Sequence, residues 1–247
     1  MKQLPKVIFQ DLGHISYKEA WDYQFQLQKQ LIEHKLVARK QLESTPSVFD
    51  TILEPEQSHY LLFCEHNPVY TLGKSGSINH LLLNETELYH KGVEFFKINR
   101  GGDITYHGPG QITGYPIFDL DCFFTDVHKY VRFLEEVVIR TMAEYGLEGM
   151  RITGYTGVWL EGDAGKPKRK ISAIGVHLSR WVTMHGFAFN INTDLTYFTN
   201  IVPCGIAEDD KAVTSLSAEL GRKIDIEEVK NKLKRHFADL FQFEFLT

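Results

Sequence analysis

From Tyr60 onward the chain is interrupted too often to be helical. Apolar runs at Tyr60–Cys64, Val69–Leu72, Val93–Ile98 and Gln111–Phe118 are separated by Asn67-Pro68, Gly73 and Gly101-Gly102. Runs this short, bounded by residues that break helices and supply turns, predict strands. A second series follows at Thr156–Leu160, Ile171–Leu178 and Gly186–Ile191, with Glu161–Lys168 reading as a hairpin connection. Between the two series the period changes: Val127, Tyr130, Val131, Leu134, Val137, Val138, Met142 and Tyr145 recur at helical spacing and stop at Gly146. Ser16–Glu19 is a capping box that opens a polar-rich helix towards Leu42, and Asp225–Glu228 caps a last amphipathic helix. Strands grouped in runs, with helices between the runs and at the ends, predict an α+β fold of mixed and antiparallel sheets flanked by helices. The 247 residues suit one domain, 1–247, with a core over about 60–220 on which an N-terminal strand and helix and a C-terminal helix pack. The 43–58 tract reads as a loop without an assigned role.

A net charge of −5, evenly scattered, argues against nucleic acid as a partner, since that would favour a basic stripe. No stretch approaches the ~18 apolar residues of a membrane span, and the first residues lack a secretory h-region. Three cysteines in unrelated contexts, with no CxxC pair, fit a reducing compartment, so the cytoplasm is the expected location.

Two segments bear chemistry. Arg100, Gly101, Gly102, Asp103, Ile104, Thr105, Tyr106 and His107 lead into Gly108-Pro109-Gly110; this spacing suits a backbone cradle for a ligand, or equally two turns around a short strand. It is not a nucleotide fingerprint. Lys170 begins an apolar strand, where strict alternation would group it with Ser172, Ile174 and Val176, and Ala173 with Gly175 on the other face. Cys64 and Cys122 read as small core residues, whereas Cys204 lies in a Pro-Cys-Gly turn with little room for packing. A cation near a thiol lowers its pKa and makes it nucleophilic. His107, His177 and His185 are each candidates for a ligand or base, but no HxH or HExxH spacing supports a metal, so they read as histidines at the surface or behind a site, and no metal or cofactor is expected.

The segments HNPVYTLG at His66–Gly73, RGGDITYHGPGQITGYPIFDL at Arg100–Leu120, KISAIGVHLSRWVTMHGFAFNINTDLTYF from Lys170 and IVPCGI ending at Ile206 resemble, in series, the lipoyl(octanoyl) transferases. The match covers most of Tyr60 to Leu220. The resemblance implies the catalytic-domain fold shared with biotin and lipoate ligases, and transfer of an octanoyl group from acyl carrier protein to a lysine of lipoyl domains. The acceptors it implies are those of 2-oxoacid dehydrogenase complexes and the glycine cleavage H protein, and the expected state is a monomer. Carried over by position, Cys204 is the acyl-thioester nucleophile and Lys170 lowers its pKa and acts as general acid/base. The substrate contacts are Arg100 to His107, then Ala173, Ile174 and Gly175, then Gly186, Phe187 and Ala188. Ile174, Val176, Phe187 and Phe189 are candidates for an acyl slot, the Gly101-Gly102 amides for oxyanion donors, and Lys166, Lys168 and Arg169 for a rim that docks acidic carriers. An ATP-dependent ligase of the same fold, which needs no cysteine, and a non-catalytic acyl-binding module are the alternatives.

Overall fold

The computed structural model describes residues 4–44, 58–163, 165–202 and 211–246. In chain order the elements are β1 (Lys6–Ile15), α1 (Tyr17–Ser44), β2 (Ser58–His66), β3 (Val69–Leu72), α2 (Glu85–Lys91), β4 (Glu94–Lys97), β5 (Ile104–His107), β6 (Gln111–Ile117) and α3 (Val127–Ala143). There follow β7 (Met150–Ile152), β8 (Tyr155–Leu160), β9 (Lys168–Ser179), β10 (Val182–Asn190), β11 (Lys211–Val213), α4 (Leu216–Leu220), α5 (Ile226–Phe241) and β12 (Glu244–Phe245). The fold is α+β, as the grouping of strands and helices predicts. Most of the 43–58 tract lies outside the described residues.

Among the described residues one large mixed sheet runs in the order β12-β1-β2-β6-β10-β9-β8-β7, with β11 beside β9, and a second sheet runs β4-β3-β5. The large sheet is covered on both faces, and alternation along β2 shows how. Leu61 and Phe63 enter the main core with Leu134, Val138, Leu233 and Phe237 of α3 and α5. Leu62 and Cys64 point the other way, against Ala20, Leu27 and Leu31 of α1. Among these apolar residues the inner face of α1 also carries two glutamines that complete the backbone bonding of β10: Gln28 Nε2 donates to the Val182 carbonyl, and Gln24 Oε1 accepts from the His185 N–H at 3.0 Å. Half of the expected capping box forms: the Glu19 N–H donates to Ser16 Oγ, while the Glu19 carboxylate accepts from the Ser16 hydroxyl rather than from its backbone N–H.

Two departures from the sequence reading shape the site. The connection between β9 and β10 is a two-residue turn in which Arg180 and Trp181 both have positive φ, 51° and 68°. This is the twist-matched hairpin geometry usually supplied by Asn-Gly. Lys35 of α1 donates to the Arg180 carbonyl, and Trp181's carbonyl accepts from the Leu120 N–H, which holds it in place. The second departure is a bulge. Val158 pairs with Ser172 and Trp159 with Lys170, so β9 takes two steps for one of β8 and Ile171 is the extra residue. Ile171 is fully buried in the main core, against which Ile174, Val176 and Leu178 also pack. Strict alternation therefore fails at Ile171, and Lys170 is not grouped with Ile174 and Val176. Among the described residues no helix is long and apolar enough to cross a membrane.

Candidate functional site

The loops at 73–76 and 100–103 interlock. The amides of Gly73, Lys74 and Ser75 donate to the carbonyls of Asp103, Arg100 and Gly102. A Cβ at Gly73 would stand 2.3 Å from the Gly102 oxygen, so this approach requires glycine. Arg100 is buried and donates through Nη2 to the carbonyl and hydroxyl of Thr71 at 2.7 and 2.9 Å, and through Nη1 to the Gly101 carbonyl. Asp103 is buried as well, bonded to its neighbour's amide at Ile104 and to His80. The Gly101 N–H donates to Val176 O at 2.9 Å, which ties the loop to β9 and removes that amide from the candidate oxyanion donors.

Between this loop, β9 and β10 lies a cavity of about 310 Å³. Its walls include Arg100, Gly101, Gly102, Asp103, Ile104, Thr105 and His107, then Lys170, Ala173, Ile174 and Gly175, then Gly186, Phe187 and Ala188. Three segments far apart in sequence thus meet around one space. Of the sequence-predicted contacts in these segments, Tyr106 is the exception. Its ring stacks on Tyr197, centroids 4.6 Å apart, within the core of the small sheet. Val176 also faces the cavity, whereas Phe189 is in the main core and is not among the cavity's lining residues.

The same cavity has a polar, tightly bonded end: His107 and His185, two of the histidines weighed from the sequence, line it with Tyr17, Gln111, Thr113 and Tyr115, which sequence reasoning missed. Gln111 Nε2 donates to Tyr106 O and Asn190 Oδ1, so its Oε1 accepts from His107 Nδ1 at 2.9 Å and fixes the imidazole tautomer. The Tyr17 ring lies stacked on His107, with centroids 5.7 Å apart. Burial, together with the nearby histidines and Arg100, pushes His107 well below the usual imidazole range. Burial also lowers His185 to about 3, with Arg100 adding to the effect. These are neutral imidazoles at neutral pH. His185 has φ 60°, a left-handed conformation in mid-strand, and its amide donates to Gln24 Oε1. No sequence signal marks such a residue.

Lys170 is partly buried, and its Nζ lies 5.0 Å from the centroid of the Trp159 ring. Trp159 lies between Val158 and Leu160, both in the main core, so its ring and the lysine occupy the opposite side of the sheet. The strand reading of Lys170 holds, but the bulge decides its direction. Cys204, with Pro203 and Gly205, lies outside the described residues. Cys64 is fully buried, and burial pushes its thiol far up, in keeping with a core residue; Cys122 is partly buried at the end of a short turn. In the basic turn, Arg169 is buried and paired with Glu219 at 2.8 Å and with Asp163, so it does not belong to an exposed rim. Among the described residues no group of His, Cys, Asp and Glu is arranged to hold a metal ion.

Comparison with known proteins places this geometry in context. Residues 38–238 match the lipoyl protein ligase A/B catalytic domain. The chain is 54% identical to an octanoyltransferase of Cytophaga hutchinsonii over 236 residues, covering 96% of this chain and 93% of that one. It is 56% identical to an octanoyltransferase of Christiangramia forsetii, covering 97% of each. Among solved structures, a putative lipoate protein ligase from Thermoplasma acidophilum with bound lipoic acid superposes with a TM-score of 0.62 at 14% identity, covering 99% of this chain and 88% of that one. A lipoate-protein ligase A bound with ATP gives 0.61 at 16% identity, covering 99% and 90%. At such identities the structural likeness concerns the fold.

Proposed function

Because the chain belongs to the lipoyl protein ligase A/B catalytic-domain family, and within it to the octanoyltransferases, we propose that it moves an octanoyl group from acyl carrier protein to a lipoyl-domain lysine through a thioester on Cys204. The observation that carries this reading is the gathering of Lys170 with the three predicted substrate segments around one cavity. Its volume of about 310 Å³ is at the small end of ligand pockets, which run from roughly 300 to 1,000 Å³, and suits a short acyl chain. In this reading residues 1–247 act as one catalytic domain.

The Cys204 thiolate attacks the carbonyl of the donor thioester. The tetrahedral adduct expels the carrier's thiolate, which takes up a proton, and the octanoyl group is left on sulfur. The acceptor lysine then attacks as a neutral amine, loses a proton, and displaces Cys204 to give an amide. One thioester replaces another in the first step and an amide replaces a thioester in the second, so no nucleotide is consumed. A thiol of pKa ~8.5 is only a few per cent ionised at neutral pH, and a neighbouring ammonium raises that fraction about tenfold for each unit by which the pKa falls. Lys170 has this role before acylation. Once the thiolate's charge has gone, one charge that favours the ammonium is removed from a partly buried site, and the lysine becomes more able to take the acceptor's proton. Arginine in its place keeps the charge but cannot accept that proton, so Lys170→Arg is expected to form the acyl-enzyme and to fail in its discharge.

The test is intact-protein mass spectrometry after mixing with octanoyl-acyl carrier protein without ATP. A hydroxylamine-labile octanoyl adduct, absent in Cys204→Ala and discharged by a lipoyl domain, is the expected result. Acylation that needs ATP and free acid, and is indifferent to Cys204→Ala, would instead assign the chain to ligase chemistry.

A further inference from the structure

Helix α3 turns one charged side chain into the protein. Glu135 lies beside Leu134 on the buried face and is itself fully buried. An unpaired carboxylate there would be strongly unfavourable. Its Oε2 accepts from Arg132 Nη1 at 2.7 Å and Arg151 Nε at 3.0 Å, and Arg151 Nη2 also reaches Glu136. Those arginines are half and one third exposed, so pairing with them does not require burial. What the buried position adds is on the other oxygen: Oε1 accepts the Gly157 N–H at 3.0 Å.

Gly157 is where β8 leaves both of its ladders. Towards β7 the pairs are Tyr155 with Ile152 and Trp159 with Met150, and towards β9 pairing begins at Val158. Its φ of 121° favours glycine. A Cβ there would stand 2.7 Å from Lys170 Cε and 2.5 Å from Ser172 O. The end of the lysine's stem therefore lies directly against the bare face of Gly157, while the Trp159 ring faces its Nζ.

We infer that Glu135 is a positioning residue: by holding the Gly157 amide it fixes the groove in β8 along which Lys170 reaches the cavity, and so sets where the ammonium stands. The consequence for catalysis rests on the Lys170 role proposed above; the placement itself does not. Glu135 and Glu136 stand against Arg132, Arg140 and Arg151, and the contact inferred to set the lysine is the hydrogen bond to the Gly157 amide rather than the field of this cluster. A side chain that keeps an acceptor for Gly157 should therefore preserve it.

The experiment is competitive acetic-anhydride labelling of the full chain, with Lys170 followed against the exposed Lys91 and Lys129 by peptide mass spectrometry, beside thermal melts. Glu135→Leu and Gly157→Ala are expected to change the relative reactivity of Lys170 by about threefold or more, and Glu135→Gln to leave it near wild type even if the melt falls, because reactivity follows burial and local environment. If Lys170 labels as in wild type in Glu135→Leu and Gly157→Ala while the melts drop, Glu135 serves stability alone and the inference fails. Should Glu135→Leu not fold, Glu135→Met, which also removes the carboxylate acceptor at similar volume, carries the same comparison. The pH midpoint of Cys204 alkylation in Lys170→Ala separates the two ideas. A midpoint that does not move overturns the cysteine-lysine pairing, whereas Lys170 labelling that responds to Gly157→Ala upholds the placement.

Discussion

Gly175 has no room for a methyl group. A Cβ at this position would stand 2.8 Å from the Gly101 carbonyl and 2.9 Å from Arg100 Cδ, on the side where the 100–102 loop is bonded to β9. Gly175→Ala is expected to push that loop from the cavity, at a cost of roughly 1–3 kcal/mol in stability from overpacking. Displacing substrate contacts should also lower kcat/KM about tenfold or more. Steady-state kinetics with urea melts read both effects, and unchanged kinetics would show that the loop does not touch substrate. The buried imidazoles give a second prediction at this scale. His185 falls from the ordinary 6.5 to about 3, His66 falls to about 4, and His107 is also depressed, all chiefly by burial. Their neutral forms belong to the folded state, so the unfolded chain binds more protons below pH 6.5. The stability they contribute is whole above that pH and is lost as pH falls towards 4 and 3, on the order of a few kcal/mol together. A pH series of urea midpoints should slope downward over this window, with a shallower slope for His185→Gln.

At the scale of elements, sequence reasoning succeeded where periodicity is strong and failed where a single residue alters it. Helix α3 begins one residue after its Asp126 cap, within the stretch that the spacing of Tyr130, Leu134, Val137 and Val138 predicts. The β8–β9 hairpin also forms around Glu161–Lys168. The Asn84–Glu87 capping box of α2 is equally local but went unread among turn residues. The Arg180-Trp181 turn could not be read, because neither residue favours positive φ and the contacts that hold it come from Lys35 and Leu120, far away in the chain. The Ile171 bulge is also invisible, since it arises from pairing with β8 and leaves the apolar pattern of β9 intact. Helix α5 was legible and supplies a test of scaffold against site. Phe237 is fully buried among Phe63, Phe187 and Phe241. Phe237→Ala is expected to cost about 3–5 kcal/mol. Activity per folded molecule at low temperature should persist, and its complete loss there would place α5 in the site rather than behind it.

For the whole molecule, the proposed function requires a chain of net charge −5 to meet an acidic carrier through a local surface. With Arg169 turned inward to Glu219, the basic turn keeps the exposed Lys166 and the half-exposed Lys168. Raising ionic strength from about 0.05 to 0.3 M should therefore raise KM for the acyl carrier several-fold while leaving kcat nearly unchanged, because screening acts on encounter. Lys166→Ala with Lys168→Ala should flatten that dependence, and a salt-independent KM would remove this face as the dock. The sequence by itself determined the α+β class and the main helices, because periodicity, caps and breakers act over a few residues and survive in the linear order; the segments that line the cavity were implied by the motifs that resemble the lipoyl(octanoyl) transferases. Only the tertiary structure decided that those segments share one space, that Tyr106 turns away from it, that Tyr17, Tyr115 and His185 close its polar end, and that Lys170 crosses Gly157. Each of these depends on strand pairing and burial between residues far apart in the chain, and no local pattern encodes such contacts.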